Sequence, residues 1–275
     1  QQKLPVLLTT AQIRKLSAKE LQLGYPARIR GVVTFSDPEW NLLFVQDESS
    51  GIYVYSTDPK LELKTGQLVE VEGLVAATAV APMLTNPRFQ ILGQGTLPSA
   101  TPVKMEQFSA GSMDSQWIEL EGIVRAVANE SGHAALDIAA GTNRLRAFIP
   151  GFGNQAAPAQ LVDAKVTIRG VAGTFTNPND QSRGVQFYVP NLDQITLLEA
   201  GVADPFSLPA RPMAGVQRGD PQEIFSHRVR VGGTVSFLQR SNVLFIQEES
   251  GGLSVRTFGS AALQPDATPD TPSSA

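Results

Sequence analysis

The chain contains no cysteine. Disulfides, thiolate metal sites and cysteine nucleophiles are therefore excluded together. No apolar run approaches the roughly 18–20 residues that a membrane-spanning helix needs. Histidine is scarce, with two in 275 residues. His133 falls in the turn Ser131-Gly132-His133 and His227 at a strand start, and neither has a serine-nucleophile motif or metal-ligand spacing around it. No paired-carboxylate pattern rises above chance among 26 acidic residues. These absences point away from an enzyme. Positive charge is also thin, with 22 Lys and Arg scattered along a chain of net charge −4. General nucleic-acid binders gain affinity by releasing counterions through clustered Lys and Arg, so the composition disfavours nucleic acid as a partner.

What is abundant is turn chemistry. With 24 Gly and 19 Pro, the chain reads as many short strands joined by turns. One stretch organises it: Arg28-Ile-Arg-Gly-Val-Val-Thr-Phe35, then Asn41-Leu-Leu-Phe-Val-Gln-Asp-Glu-Ser-Ser-Gly-Ile-Tyr-Val-Tyr55. It returns as Arg230-Val-Gly-Gly-Thr-Val-Ser-Phe237 and Asn242-Val-Leu-Phe-Ile-Gln-Glu-Glu-Ser-Gly-Gly-Leu-Ser-Val255. Asn41, Phe44, Gln46, Glu48, Ser49, Gly51 and Val54 all recur at one interval (245 − 44 = 201). Such self-similarity marks a tandem array.

The expected class is all-β: tandem small five-stranded barrels with short helical lead segments, the third barrel incomplete. Residues 1–24 form a lead, in which Ser17-x-x-Glu20 has the spacing of a helix capping box. Module one covers 25–95, with strands at Arg28–Phe35, Leu42–Gln46, Ile52–Tyr55 and Leu68–Val75 and a short fifth at Phe89–Leu92 after Asn86-Pro87. A linker at 96–115 leads to module two, 116–199. There Gly122 stands for Gly31, Ala134–Ile138 and Leu145–Ile149 are strands two and three, and Ile195–Leu198 mirrors the fifth. Module two lacks the Phe-x-Gln triplet of its sisters. A second linker, 200–226, precedes a partial third module at 227–258. The Pro/Ser/Thr-rich tail, 259–275, reads as disordered. An incomplete barrel leaves edges open to strand pairing with another chain.

A small barrel whose second strand ends in Phe-Val-Gln-Asp before a glycine hairpin resembles the OB-fold. The motifs above are similar to tandem OB-like modules in extracytoplasmic regions of bacterial membrane-bound sensor proteins, which precede histidine-kinase or diguanylate-cyclase output domains. The resemblance covers about residues 4–256. It implies a periplasmic or extracellular face of a bacterial envelope and a non-catalytic binding or sensory module feeding a signalling output. Its partner would be an unidentified small ligand or protein, with no cofactor or metal. The chain departs from the pattern in carrying no output domain or spanning helix, so membrane contact is expected only through segments outside it. Its start, Gln1-Gln-Lys without methionine, suggests removal of a signal peptide.

In OB modules that bind single strands, the face around strands two and three stacks bases on aromatics. Strand alternation puts Phe44, Gln46, Tyr53 and Tyr55 outward here, with Phe35 and Trp40 nearby. Phe245, Gln247 and Arg256 repeat the face in module three. Three readings follow: a ligand face, a single-stranded nucleic-acid face, or rings packed on the lead or a neighbouring module. Residues 26–95 carry 5 Lys/Arg against 8 Asp/Glu, net −3, which opposes phosphate. A protein–protein adaptor that borrows a strand for its third barrel is a further alternative. Asp47, Glu48, Glu248 and Glu249 sit at hairpins without the dense oxygen spacing of a calcium loop, and no metal site is assigned.

Overall fold

The computed structural model describes residues 4–58, 61–78, 80–105, 113–141, 143–176, 183–218, 227–239 and 243–256. They fall into two compact units that divide after Val202.

The lead opens the first unit with helices α1 (Thr10–Arg14) and α2 (Ala18–Leu21). Both are too short to persist on propensity alone. Each is held by a capping box, Thr9 with Gln12 and Ser17 with Glu20, which satisfies first-turn donors reciprocally.

The first barrel is built from β1 (Pro26–Asp37), β2 (Leu42–Gln46), β3 (Gly51–Val54), β4 (Gln67–Ala77) and β5 (Pro82–Gln94). It closes in the order β1-β2-β3-β5-β4, antiparallel except where β5 runs parallel to β3. That is the OB-like arrangement. Strand alternation supplies the core: Val69 and Val71 point inward while Glu70 and Glu72 face out. Leu7 and Ile13 of the lead cap this core from one side. Gly31 sits where a Cβ would lie 2.6 Å from the Gln46 carbonyl, so the strand can bend closely over its neighbour only as glycine.

The fifth strand is longer than the sequence suggests. Proline in Asn86-Pro87 argues for a break, yet both residues lie inside β5, which has 13 residues. The register shifts between Glu72 and Leu74, and this bulge absorbs a residue that cannot donate to the ladder.

The second barrel repeats the plan with β7 (Trp117–Glu130), β8 (His133–Ala140), β9 (Asn143–Ile149), β10 (Lys165–Thr176) and β11 (Arg183–Tyr188). β10 pairs back onto β7, and β11 is parallel to β9 as β5 is to β3. The short β6 (Thr101–Pro102) pairs parallel with β7. Its fifth strand is β11 continued by β12 (Ile195–Glu199), which pairs with the start of β10. Ile195–Leu198 is therefore only the second half of the fifth strand. Pro190 and a 3-10 turn at Leu192–Gln194 split what is continuous in β5.

In the second unit, α3 (Met213–Arg218) accompanies a three-stranded sheet of β13 (Thr234–Gln239), β14 (Val243–Glu248) and β15 (Gly251–Arg256). Ordered pairing begins at Thr234, and Arg230 contributes only an isolated bridge with Ala210. The expected Pro/Ser/Thr-rich tail lies outside the described residues.

Candidate functional site: the junction of the two barrels

The outward aromatic face of the first barrel is covered. Phe35 and Phe44 are 1% and 4% exposed, and with Trp117, Ala135, Phe148, Val171 and Tyr188 they form one hydrophobic cluster between the barrels. The Tyr188 ring lies 5.4 Å from Phe35 and 5.7 Å from Phe44, nearly parallel to the latter. Tyr53 leans on Phe44 at 5.4 Å. Ring pairs in these offset geometries add to the area they bury. Of the three readings of this face, packing on a neighbouring module is the one that holds for Phe35 and Phe44, with Trp40 and Tyr53 packed partly buried beside them. Alternation turns them out of their own core, and the second barrel then buries Phe35 and Phe44 and half-covers Trp40 and Tyr53.

Polar groups fix how the barrels meet. Gln46 Oε1 accepts from the Trp117 backbone N–H at 2.8 Å. Gln116 accepts from Gly51 N at 3.3 Å and donates to Ser50 Oγ at 2.9 Å. Arg14 donates to the carbonyls of Gly51 and Asp114, so the lead also reaches the second barrel. Burial lowers the Arg14 pKa, Asp114 opposing it. A Cβ at Gly51 would lie 1.8 Å from the Ser115 carbonyl. The glycine shared by both repeats is here a point of backbone approach.

At the other end of the seam, His133 and Asp37 form a buried pair, 2.6 Å between Nε2 and Oδ2. Nδ1 lies 2.8 Å from the Ser131 carbonyl, which only accepts, so that nitrogen carries a proton. Trp40 stacks on the imidazole with 3.7 Å between ring centres and meets Phe148 edge-on at 5.0 Å. His133 belongs to β8 rather than to a turn, and it positions the junction.

Beside the seam opens a groove of about 400 Å³. Leu42, Phe44, Tyr53 and Met83 of the first barrel face Thr174 and Tyr188 of the second across it, with Asp114 at its edge. Asp114 accepts from Thr174 N at 2.8 Å and from Ser115 Oγ at 2.9 Å, and the Tyr53 hydroxyl donates to the Asn41 carbonyl. Burial pushes the Tyr188 phenol well above its usual range, with Tyr53, Asp114 and Asp37 adding to the effect. It stays protonated and donates to Gln186. Among the described residues no group of three or more His, Asp or Glu side chains is placed to hold a metal ion, and no helix is long and apolar enough to cross a membrane.

Phe35, Trp40, Phe44, Gln46 and Tyr53 are thus brought together, while Tyr55 is 40% exposed and outside the seam. Phe245, Gln247 and Arg256 share one exposed face of the second unit's sheet. Sequence reasoning missed Asp37, Gln116, Trp117, His133, Phe148 and Tyr188. The one available signal was His133 itself, and nothing in the sequence pairs it with a carboxylate 96 positions away.

No protein-family model matches the chain, and no curated protein does. Solved structures similar to parts of it include aspartyl-tRNA synthetase from Entamoeba histolytica, at 13% identity and a TM-score of 0.32, covering 43% of this chain and 26% of that one. Asparaginyl-tRNA synthetase from Pyrococcus horikoshii matches at 16% and 0.27, covering 38% and 25%. A murine DNA-binding protein bound to double-stranded DNA matches at 10% and 0.31, covering 66% and 97%. The chain spans about a quarter of the length of the two synthetases. Likenesses this loose carry no functional argument, and the OB-like description rests on strand order.

Proposed function

We propose that this chain is a non-catalytic binding module whose ligand site is the groove at the barrel junction. The observation that carries this reading is that both barrels wall the groove: Phe44, Tyr53 and Met83 from one, Thr174 and Tyr188 from the other. Its volume of about 400 Å³ suits a small ligand. Its aromatic and aliphatic lining favours a planar, largely apolar one. A ligand touching both walls binds only the docked arrangement. It therefore shifts the barrels toward that arrangement by its differential affinity, with no chemistry required. This is how a sensory module would report occupancy. Placement on the periplasmic or extracellular face of a bacterial envelope belongs to the same proposal, supported by the resemblance of the strand motifs to envelope sensor regions.

The rival reading, a single-stranded nucleic-acid binder, needs exposed rings beside positive charge. In the first barrel Phe35 and Phe44 are buried in the seam and the local charge is negative. The test is a thermal-shift screen of small aromatic metabolites, with a labelled oligonucleotide as a separate arm. A metabolite that raises Tm in the native chain, and fails to do so in Thr174→Trp, which fills the groove, supports the proposal. An oligonucleotide that binds in a salt-sensitive manner while no metabolite shifts Tm overturns it.

A further inference from the structure

The third repeat keeps the first barrel's local construction in detail. The register slips at the same point, between Val33 and Phe35 in β1 and between Val235 and Phe237 in β13. Phe35 pairs with Phe44 across the strands, as Phe237 does with Phe245. Thr34 Oγ1 donates to the Phe44 carbonyl at 3.3 Å and Ser236 Oγ to the Phe245 carbonyl at 3.2 Å. The lead helices dock alike: Thr10 N and Ala11 N on Asp47 and Ser49, Met213 N and Ala214 N on Glu248 and Ser250.

The outcome on the outer face differs. Phe35 and Phe44 are buried under the second barrel, whereas Phe237 and Phe245 are 59% and 37% exposed with their rings 5.9 Å apart. Alternation directs Leu244 and Ile246 to the opposite face, so these rings do not build their own sheet's core. The second barrel carries other side chains at these three places. Its register slips between Val124 and Ala126, and the places of Phe35, Phe44 and Tyr53 are taken by Ala126, Asp137 and Arg146. Asp137 and Arg146 form a half-exposed ion pair. The third repeat has instead retained the aromatic pair and, in Gln247, the counterpart of the glutamine that receives Trp117 N–H.

We infer that the Phe237–Phe245–Gln247 face is a docking surface for a further barrel of the second-barrel type. Such a barrel would start its first strand with a main-chain N–H directed at the Gln247 amide oxygen. It would also lay an aromatic ring across the two phenylalanines, as Tyr188 does within this chain. The inference is independent of the groove ligand, since it concerns the second unit alone.

The chain's own second barrel is the probe. In the Gly51→Leu variant of this chain, the new side chain is driven into the Ser115 carbonyl and frees the second barrel, leaving both cores untouched. Both tryptophans of the chain, Trp40 and Trp117, sit at the junction, so a red shift in their emission reports the opening. Phe44→Ser opens the same seam should Gly51→Leu fail to fold. The opened variant is expected to associate in sedimentation velocity at least tenfold more tightly than the native chain. Adding Phe245→Ser with Gln247→Ala is expected to return it to monomer. An opened variant that stays monomeric, or association indifferent to Phe245→Ser, overturns the inference. So does a native dimer lost on Phe245→Ser, which gives the face to a second copy. An oligonucleotide bound by the native chain and lost on Phe245→Ser overturns it in favour of nucleic acid.

Discussion

The first and second barrels share a strand order, a bulge and a bent glycine position (Gly31, Gly122), yet they carry different side chains at matching outer positions. At three of these positions one carries Phe35, Phe44 and Tyr53 and the other Ala126, Asp137 and Arg146, and the second barrel meets the first through Ala135 and Phe148 on the same face as the Asp137–Arg146 ion pair. Neither set contributes to its own core, where aliphatic side chains alternate inward. The fold is thus written on one parity of each strand and the assembly on the other. Outer positions decide which side chains a barrel brings to its neighbour, and they can change without disturbing closure.

That separation is best broken from the inside of the seam. Phe44→Asp puts a carboxylate where the native ring is 4% exposed, and a charge buried without a partner costs several kcal/mol. The expected result in a urea titration is two transitions: tryptophan emission reports undocking first, and far-UV circular dichroism reports barrel unfolding later. A single coincident transition would mean that the barrels do not fold independently of their junction. His133→Ala comes next. It leaves Asp37, which is 2% exposed, with only the Glu39 N–H on Oδ1, and removal of one partner from a buried pair costs about 3–5 kcal/mol. The loss should appear in the tryptophan transition, since Trp40 stacks on the imidazole.

How much of this was legible beforehand follows the same division. Strands, hairpins and outward parity are local properties, and alternation with turn residues reveals them. The sequence therefore places Phe44, Gln46 and Tyr53 on an outer face, where they are. It does not reveal what covers them. Trp117 meets Gln46 across 71 positions and His133 meets Asp37 across 96, and neither contact leaves a periodic trace. The extension of β5 through Asn86-Pro87 was hidden for a related reason. Proline is a local stop signal, and the bulge that holds it, where Asn86 and Pro87 together face Gly73 of β4, is a property of the pair of strands. The split of the second barrel's fifth strand escaped in reverse, because only its second half, Ile195–Leu198, looks like a strand alone.

A smaller effect sharpens the comparison between repeats at one shared glycine. Gly51→Ala places a methyl against the Ser115 carbonyl, whereas a Cβ at Gly252 meets nothing nearer than the Ile246 carbonyl at 3.3 Å. Overpacking of the first kind costs about 1–3 kcal/mol. Gly51→Ala should therefore lower the midpoint of the tryptophan transition clearly, and Gly252→Ala should leave it in place. Equal losses would show that the glycine serves the hairpin rather than the docking.

The smallest effect separates the lead from the seam. Burial tends to raise the Asp47 pKa, but hydrogen bonds from Ser49 and Thr10 outweigh it and hold the carboxyl below its ordinary value of 3.8. A depressed folded value means that the ionised form favours folding. This contribution is complete above the unfolded value and disappears as pH falls through the lower folded one. Asp47 is half-buried, so solvent screening keeps the contribution modest. The native chain should lose stability below about pH 4 more steeply than Asp47→Asn, in which the amide cannot titrate. Midpoints of urea unfolding measured between neutral and acid pH provide the check, and parallel pH profiles for the two proteins would refute the assignment. Because Asp47 holds the N-terminus of α1 and Arg14 at the end of that helix reaches Asp114, the acid loss should extend to the tryptophan signal. The docking of the second barrel would then depend on a capped helix of five residues, and on the carboxylate that holds it.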